Sequence, residues 1–271
     1  VESPVTETAL PDPLVLIAPA MAIGSRFYRP LVSAFAARGW EARALPRRGF
    51  EKGQPPASRS NDWSYRDEID TIGRAVAAAR ADAPGRPVVL LGHSLGAQLV
   101  AGHELTHPPA DGIVTVAGSL PWFRYYPRLG LHVAAMAALV PVATTLFGHL
   151  PKPAFGAPGA RTMMREWARM VLTGTPPFPH ADPIRTPALV VALEGDELAP
   201  TRGIDAFARG MIEPGRATRW DYRAQDAPAG GSVDHVQWVR TPEAVVDRIV
   251  GWWHGQAAAR ATVGATEPGR D

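Results

Sequence analysis

Three residues in this sequence have the types and the order to carry an acyl group. Gly92-His93-Ser94-Leu95-Gly96 fits G-x-S-x-G, between the apolar run Val88-Val89-Leu90-Leu91 and Gln98-Leu99-Val100-Ala101. A serine hydroxyl is a weak nucleophile at neutral pH and needs a base within reach. A tight strand-to-helix turn lifts Ser94 clear of a sheet, and glycines on both sides let neighbouring elements close in. Downstream come a carboxylate, Asp196 in Leu193-Glu194-Gly195-Asp196-Glu197-Leu198-Ala199-Pro200, and a histidine, His235 in Val233-Asp234-His235-Val236-Gln237-Trp238. His235 would take the Ser94 proton and return it to the leaving group. Asp196 would fix the imidazole tautomer and stabilise its charged form. Glu194 and Glu197 compete with Asp196, which could also be a simple turn residue. His180 is a rival base in the wrong order, and His235 could be a surface loop histidine. No acid follows Ile113–Ala117, where Gly118-Ser119 stand, and this favours Asp196. The Leu95 N–H, at a helix N-terminus, and the Met21 N–H, in Pro19-Ala20-Met21, are the expected oxyanion donors. His93 reads as a wall of the turn.

These residues need a sheet to position them. Leu14–Ala18, Trp40–Leu45, Val88–Leu91, Ile113–Ala117, Ala188–Leu193 and Thr218–Tyr222 read as strands. Phe27–Arg38, Trp63–Ala81, Leu95–His107, Ile204–Met211 and Pro242–Trp253 read as helices between them. Such alternation predicts an α/β fold, a mainly parallel sheet with helices on both faces and a site at the carboxyl ends of the strands. The expected division is an N-terminal extension (1–13), a core (14–118 and 183–254), a helical cap (119–182) and a flexible tail (255–271).

The cap has many prolines and the aromatics Trp122, Phe123, Tyr125, Tyr126, Phe147, Phe155 and Trp167. It would sit over Ser94 as a lid, with Trp122, Tyr125 and Trp167 as candidate pocket residues or as the cap's own core. Phe27, Tyr28 and Trp238 are the other candidate pocket walls. Leu129–Pro151 could span a bilayer by length, but Pro141, Gly148, His132 and His149 argue instead for a buried pair of cap helices.

Composition narrows the rest. The 271 residues allow one large domain with an insertion, or two small domains. With no cysteine, disulfides, thiolate metal sites and a cysteine nucleophile are excluded. The net charge of +2 rests on scattered arginines, with Lys52 and Lys152 the only lysines, so nucleic-acid binding is not expected. No secretory leader is visible in Val1–Pro13, and a cytoplasmic location is the expectation. His103-Glu104-Leu105-Thr106-His107 fits H-E-x-x-H, a zinc-hydrolase pattern. Pro108 ends the helix at the second histidine, no third ligand follows at a convincing distance, and this end of the helix points away from Ser94. A solvated helix end is the competing account.

Together these residues resemble the α/β-hydrolase superfamily over about Leu14–Trp253. Within it the chain is similar to a bacterial group of predicted serine hydrolases with a Pro-Ala-Met-Gly loop and a following Arg-Phe-Tyr-Arg-Pro. Here these are Pro19-Ala20-Met21-Ala22 and Arg26-Phe27-Tyr28-Arg29-Pro30. Arg48-Gly49, Arg165-Glu166-Trp167-Ala168, Asp196–Pro200 and Asp234-His235 match further segments of that group. Ala22 and Ala97 depart from it, standing where glycine is usual.

The expectation is a cofactor-independent serine hydrolase acting on a carboxylic ester or thioester of an apolar small molecule through an acyl-Ser94 intermediate. Acyl transfer or lactonisation by the same triad is the enzymatic alternative. A non-hydrolytic lyase or a ligand-binding protein on the same fold is the other. Neither a metal nor stable membrane insertion is expected, and homo-oligomerisation is left open.

Overall fold

Leu14–Ala18 (β1) is buried at all five positions, as expected for a strand covered on both faces. It is followed by α1 (Arg29–Ala36), β2 (Glu41–Ala44), α2 (Tyr65–Asp82), β3 (Val88–His93), α3 (Leu95–Thr106) and β4 (Gly112–Val116). Then come α4 (Gly130–Phe147), α5 (Arg161–Thr173), β5 (Ala188–Leu193), α6 (Thr201–Met211), β6 (Ala217–Tyr222) and α7 (Glu243–Gly264). This computed structural model describes residues 11–127, 130–152 and 156–264. Phe155, the first ten residues and 265–271 lie outside the described residues.

The six strands form one parallel sheet in the order β2-β1-β3-β4-β5-β6. From β1 the chain winds outward to β2, then returns to the other side of β1 for β3. The crevice at such a reversal is where open α/β sheets build their sites. In register, Ala18 pairs with Gly92. The loop after β1 and the turn after β3 therefore leave the sheet side by side.

Local chemistry sets the helix ends. Ser64 and Asp67 form a reciprocal capping box at the start of α2. Gly174, at φ 75°, closes α5 in the left-handed conformation. The chain continues as α7 to Gly264, beyond the Trp253 expected from hydrophobic pattern. Gln256-Ala257-Ala258-Ala259-Arg260-Ala261 has high helix propensity despite its lack of a large apolar stripe.

Between β4 and β5 the chain is mostly helical. The expected buried helix pair in Leu129–Pro151 is instead one helix, α4, with Pro141 inside it. Most of it is not buried: Leu131, Leu139 and Leu146 are 81%, 64% and 65% exposed. Only its inner face, with Ala137, Val140 and Thr144, is covered, and α5 packs beside it. A continuous apolar sequence therefore marks two apolar faces, one of them turned outward.

Candidate active site

Ser94 occupies the turn between β3 and α3 with φ 53° and ψ −115°. A non-glycine residue held there costs about 1–3 kcal/mol, a strain typical of functional positions. Its own N–H donates to the Val116 carbonyl at 2.9 Å, fastening the turn to β4. The flanking glycines are required by space. A Cβ on Gly96 would lie 2.0 Å from the Ala18 carbonyl oxygen, and one on Gly92 would lie 2.5 Å from the Ala97 nitrogen. The departure at Ala97 is accommodated across the turn by Gly118, where a Cβ would lie 2.5 Å from that of Ala97.

His235 Nε2 lies 2.9 Å from Ser94 Oγ, and its Nδ1 lies 2.6 Å from Asp196 Oδ2. A carboxylate accepts, so Nδ1 carries the proton and Nε2 accepts from the serine hydroxyl. The other Asp196 oxygen accepts from the Leu198 and Ala199 N–H groups at 2.9 and 3.0 Å. These bonds fix the carboxylate just beyond β5. Asp234 Oδ1 likewise accepts from the Val236 and Gln237 N–H groups, setting the turn that presents His235. The three side chains thus meet from loops after β3, β5 and β6. Glu194 instead accepts from the Ala224 N–H, and His180 bonds the Phe178 carbonyl.

His93 is more than a wall of the turn. Tyr28 Oη accepts from the Ala20 N–H at 2.8 Å, and it lies 2.8 Å from His93 Nδ1. The His235 carbonyl, 2.7 Å from His93 Nε2, can only accept, so Nε2 carries the proton of the neutral ring and Nδ1 accepts from the Tyr28 hydroxyl. In this tautomer Trp238 Nε1, 3.3 Å from His93 Nε2, makes an edge contact and not a hydrogen bond. Burial pushes the His93 imidazole down to about 3, so it stays neutral at working pH. The bridge joins the loop after β1 to the backbone of the histidine facing Ser94. Sequence offered only the aromatic and histidine types of its members, and no spacing that links them.

Arg47 supports the same loop from below. Its Nη2 donates to the Pro19 carbonyl, and its Nη1 lies 3.2 Å from Glu68 Oε2, with both side chains buried. Burial raises the Glu68 carboxyl, against the opposing pull of Arg47 and Arg48. Ala22 takes φ 60° in this loop, a left-handed conformation that glycine adopts without strain.

A cavity of about 230 Å³ opens over Ser94, lined by Met21, Ile23, Leu95, Met136, Trp167 and Leu198 among others. Met21 and Leu95, the expected oxyanion residues, both face it, and Leu95 is the first residue of α3, whose N–H has no intrahelical partner. Trp167 lines the cavity as expected. Tyr125 lines a neighbouring cleft of about 470 Å³ beside Asp196. Tyr125 and four other expected pocket residues do not line the Ser94 cavity. Tyr28 and Trp238 are fully buried around His93, and Phe27 packs edge-on against Tyr28. Trp122 packs on Phe123, Tyr125 and Gly174. Nearness in sequence to Met21 and His235 suggests that three of them stand beside the site, but the rings of Tyr28 and Trp238 turn into the core and Phe27 is half-buried against it.

Glu104 and His107 of the H-E-x-x-H segment have polar partners, whereas neither ring nitrogen of His103 has a hydrogen-bond partner among the described residues. The side chains of His103 and Glu104 are buried, so this stretch is not the solvated helix end expected. Glu104 accepts from the Ala110 N–H at 2.9 Å and from the Thr186 hydroxyl. His107 Nε2 lies 3.3 Å from Asp70 Oδ1, and its ring stacks on His103 at 5.2 Å. At 1.5 Å rise per residue, His103 stands roughly 13 Å along α3 from Ser94.

The parallel sheet, its crossing point and the serine turn define an α/β-hydrolase. More particularly, the chain belongs to the Hydrolase_4 family, described as serine aminopeptidase, S33, which matches residues 9–154, over half its length. Solved structures with this fold include a soluble variant of monoglyceride lipase from Saccharomyces cerevisiae, with TM-score 0.64 and 12% identity over 91% of this chain and 87% of that one. A putative non-heme bromoperoxidase from Mycobacterium tuberculosis gives 0.62 and 16% over 92% and 94%. The type II thioesterase BorB from the borrelidin biosynthetic cluster gives 0.56 and 18% over 90% and 92%. At these identities the likeness is one of fold. No curated protein sequence matches the chain.

Proposed function

We propose that the protein is a serine hydrolase that cleaves a carboxylic ester or thioester of an apolar small molecule through an acyl-Ser94 intermediate. The observation that carries this reading is the unbroken hydrogen-bonded run Ser94 Oγ, His235 Nε2, His235 Nδ1, Asp196 Oδ2. Ser94 Oγ attacks the carbonyl carbon as its proton passes to His235 Nε2. The carbonyl oxygen becomes an oxyanion beside the Met21 and Leu95 N–H groups. Collapse breaks the bond to the leaving oxygen or sulfur, which takes the proton from His235. Water then attacks the acyl carbon, giving its proton to His235, and the second collapse returns that proton to Ser94.

The cavity supports this substrate class. Its walls are mainly apolar, and its volume falls below the ~300–1,000 Å³ usual for drug-sized ligands. It suits a short or medium acyl chain. The test is a series of p-nitrophenyl acyl esters. Turnover is expected to peak at short to medium chain length and to vanish in Ser94→Ala. Absence of any burst or turnover across the series in the unaltered protein would move the assignment to a ligand-binding role.

A further inference from the structure

The outward face of α4 takes no part in the proposed reaction. Leu131, Ala135, Ala138, Leu139, Val142 and Leu146 follow helical spacing on one side, and all are exposed. From Leu131 to Leu146 the stripe runs about 22 Å. No charged residue interrupts α4, and a solvent-facing helix ordinarily carries charges there. A contiguous apolar face of this kind marks an interaction surface.

Its surroundings indicate what covers it. Between Ser119 and Arg165 the sequence has Arg124, Arg128, Lys152, Arg161 and Arg165 and no acidic residue. At the carboxyl end of α4 the Arg59 guanidinium donates to the Leu146 carbonyl at 2.9 Å. On the flank, Arg165 donates to the Thr144 and Thr145 hydroxyls. Near the start, the exposed Arg124 lies over Trp122 and Phe123. Arg59 and Arg124 near the two ends and Arg165 on the flank therefore border the stripe, while Arg161 is paired with Asp62 at 3.2 Å. A second copy of the chain, meeting this face across a two-fold axis, would bring the same cations against themselves. An anionic bilayer offers apolar chains for the stripe and negative headgroups for the arginines that border it.

α4 is long and apolar enough to cross a membrane by length and composition alone. Its inner face, however, packs on α5 and sends Val133 and Met136 into the Ser94 cavity. Crossing would strip both contacts away. We propose that the outer face of α4 is a docking surface on which the protein rests against an anionic lipid bilayer, with the helix lying along the membrane surface. This goes beyond the hydrolase assignment and does not depend on it.

The test is sedimentation of the full chain with vesicles of phosphatidylcholine alone and of phosphatidylcholine with phosphatidylglycerol. Binding is expected to the second kind, to weaken with added salt, and to fall at least ~10-fold in Leu139→Gln/Leu146→Gln. Arg124→Gln/Lys152→Gln is expected to weaken it by roughly 10-fold or more. Melting temperature and turnover of a soluble short-chain ester should be unchanged in both variants. The proposal is overturned by no binding to anionic vesicles, or by equal binding to both kinds. It is overturned equally by binding that ignores the leucine substitutions, or by a dimer in ultracentrifugation that those substitutions dissociate without any vesicle binding.

Discussion

His93 Nε2 donates to the carbonyl oxygen of His235 at 2.7 Å, so the residue before the nucleophile holds the backbone of the proposed base. The same imidazole accepts from Tyr28, whose hydroxyl takes the Ala20 N–H. One buried ring thereby sets the loop that bears Met21 and the loop that bears His235. Misplacing either by a fraction of an ångström weakens proton transfer or oxyanion binding, the two steps most sensitive to geometry.

His93→Phe keeps the bulk and removes both bonds. It is expected to lower kcat by ~10–10²-fold with little change in KM, because the cavity walls remain. His93→Gln can keep a donor near the His235 carbonyl and should fall between the two. Steady-state kinetics of the three proteins on one soluble ester decide it. A loss of melting temperature with kcat intact in both variants would reduce His93 to packing.

Arg47 is expected to be essential to both stability and rate. Arg47→Met leaves the Glu68 carboxylate buried without its partner, at a cost of about 3–5 kcal/mol. Arg47→Met/Glu68→Leu removes both charges and should recover much of that stability. It should not recover kcat, because the Pro19 carbonyl still lacks its donor. Urea melts and kinetics of the single and double variants separate the two effects.

The pairing of Ala97 with Gly118 gives a packing prediction. Gly118→Ala places two Cβ atoms 2.5 Å apart, with Thr115 Cβ at 3.2 Å, and should cost about 1–3 kcal/mol. Adding Ala97→Gly should restore part of this, a coupling visible in a double-mutant cycle. Additive losses would show that the clash is absorbed elsewhere.

Glu104 makes stability depend on pH. Burial raises its carboxyl to about 7 from an ordinary value near 4.5. Between those values the folded protein holds a proton that the unfolded chain has released. Glu104 therefore weakens folding progressively as pH rises through that window, and fully above about 7. Such a gap corresponds to roughly 3 kcal/mol at most. Glu104→Gln, which stays uncharged, should be more stable relative to the unaltered protein at pH 8 than at pH 5. Paired urea melts at the two values check this, and an offset that does not change with pH contradicts it.

Much of this architecture is legible in the residues themselves. Buried parallel strands such as Val88–Leu91 and Ala188–Leu193 appear as unbroken apolar runs. The serine turn adds glycines that only a crowded strand-to-helix junction requires. Asp196 and His235 follow from their order after Ser94, the first just past a strand and the second in the loop before the last helix. The orientation of aromatic rings is less accessible, since Tyr28 and Trp238 are near the site in sequence yet face the core. α4 departs from its expected burial for a related reason: apolar residues on every side predict a buried helix, yet one side of this helix, with Leu131, Leu139 and Leu146, is exposed. The His93 bridge joins residues 8 and 142 positions apart, from Ala20 to Tyr28 and from His93 to His235, and no local pattern encodes it.

In the proposed reaction Ser94 becomes covalently acylated as His235 takes its proton. Exposure to a fluorophosphonate, followed by peptide mass spectrometry, tests it most directly. A single adduct is expected on Ser94, absent from Ser94→Ala and formed at least ~10²-fold more slowly in His235→Ala. An adduct on another residue, or labelling of His235→Ala at the unaltered rate, would contradict the account.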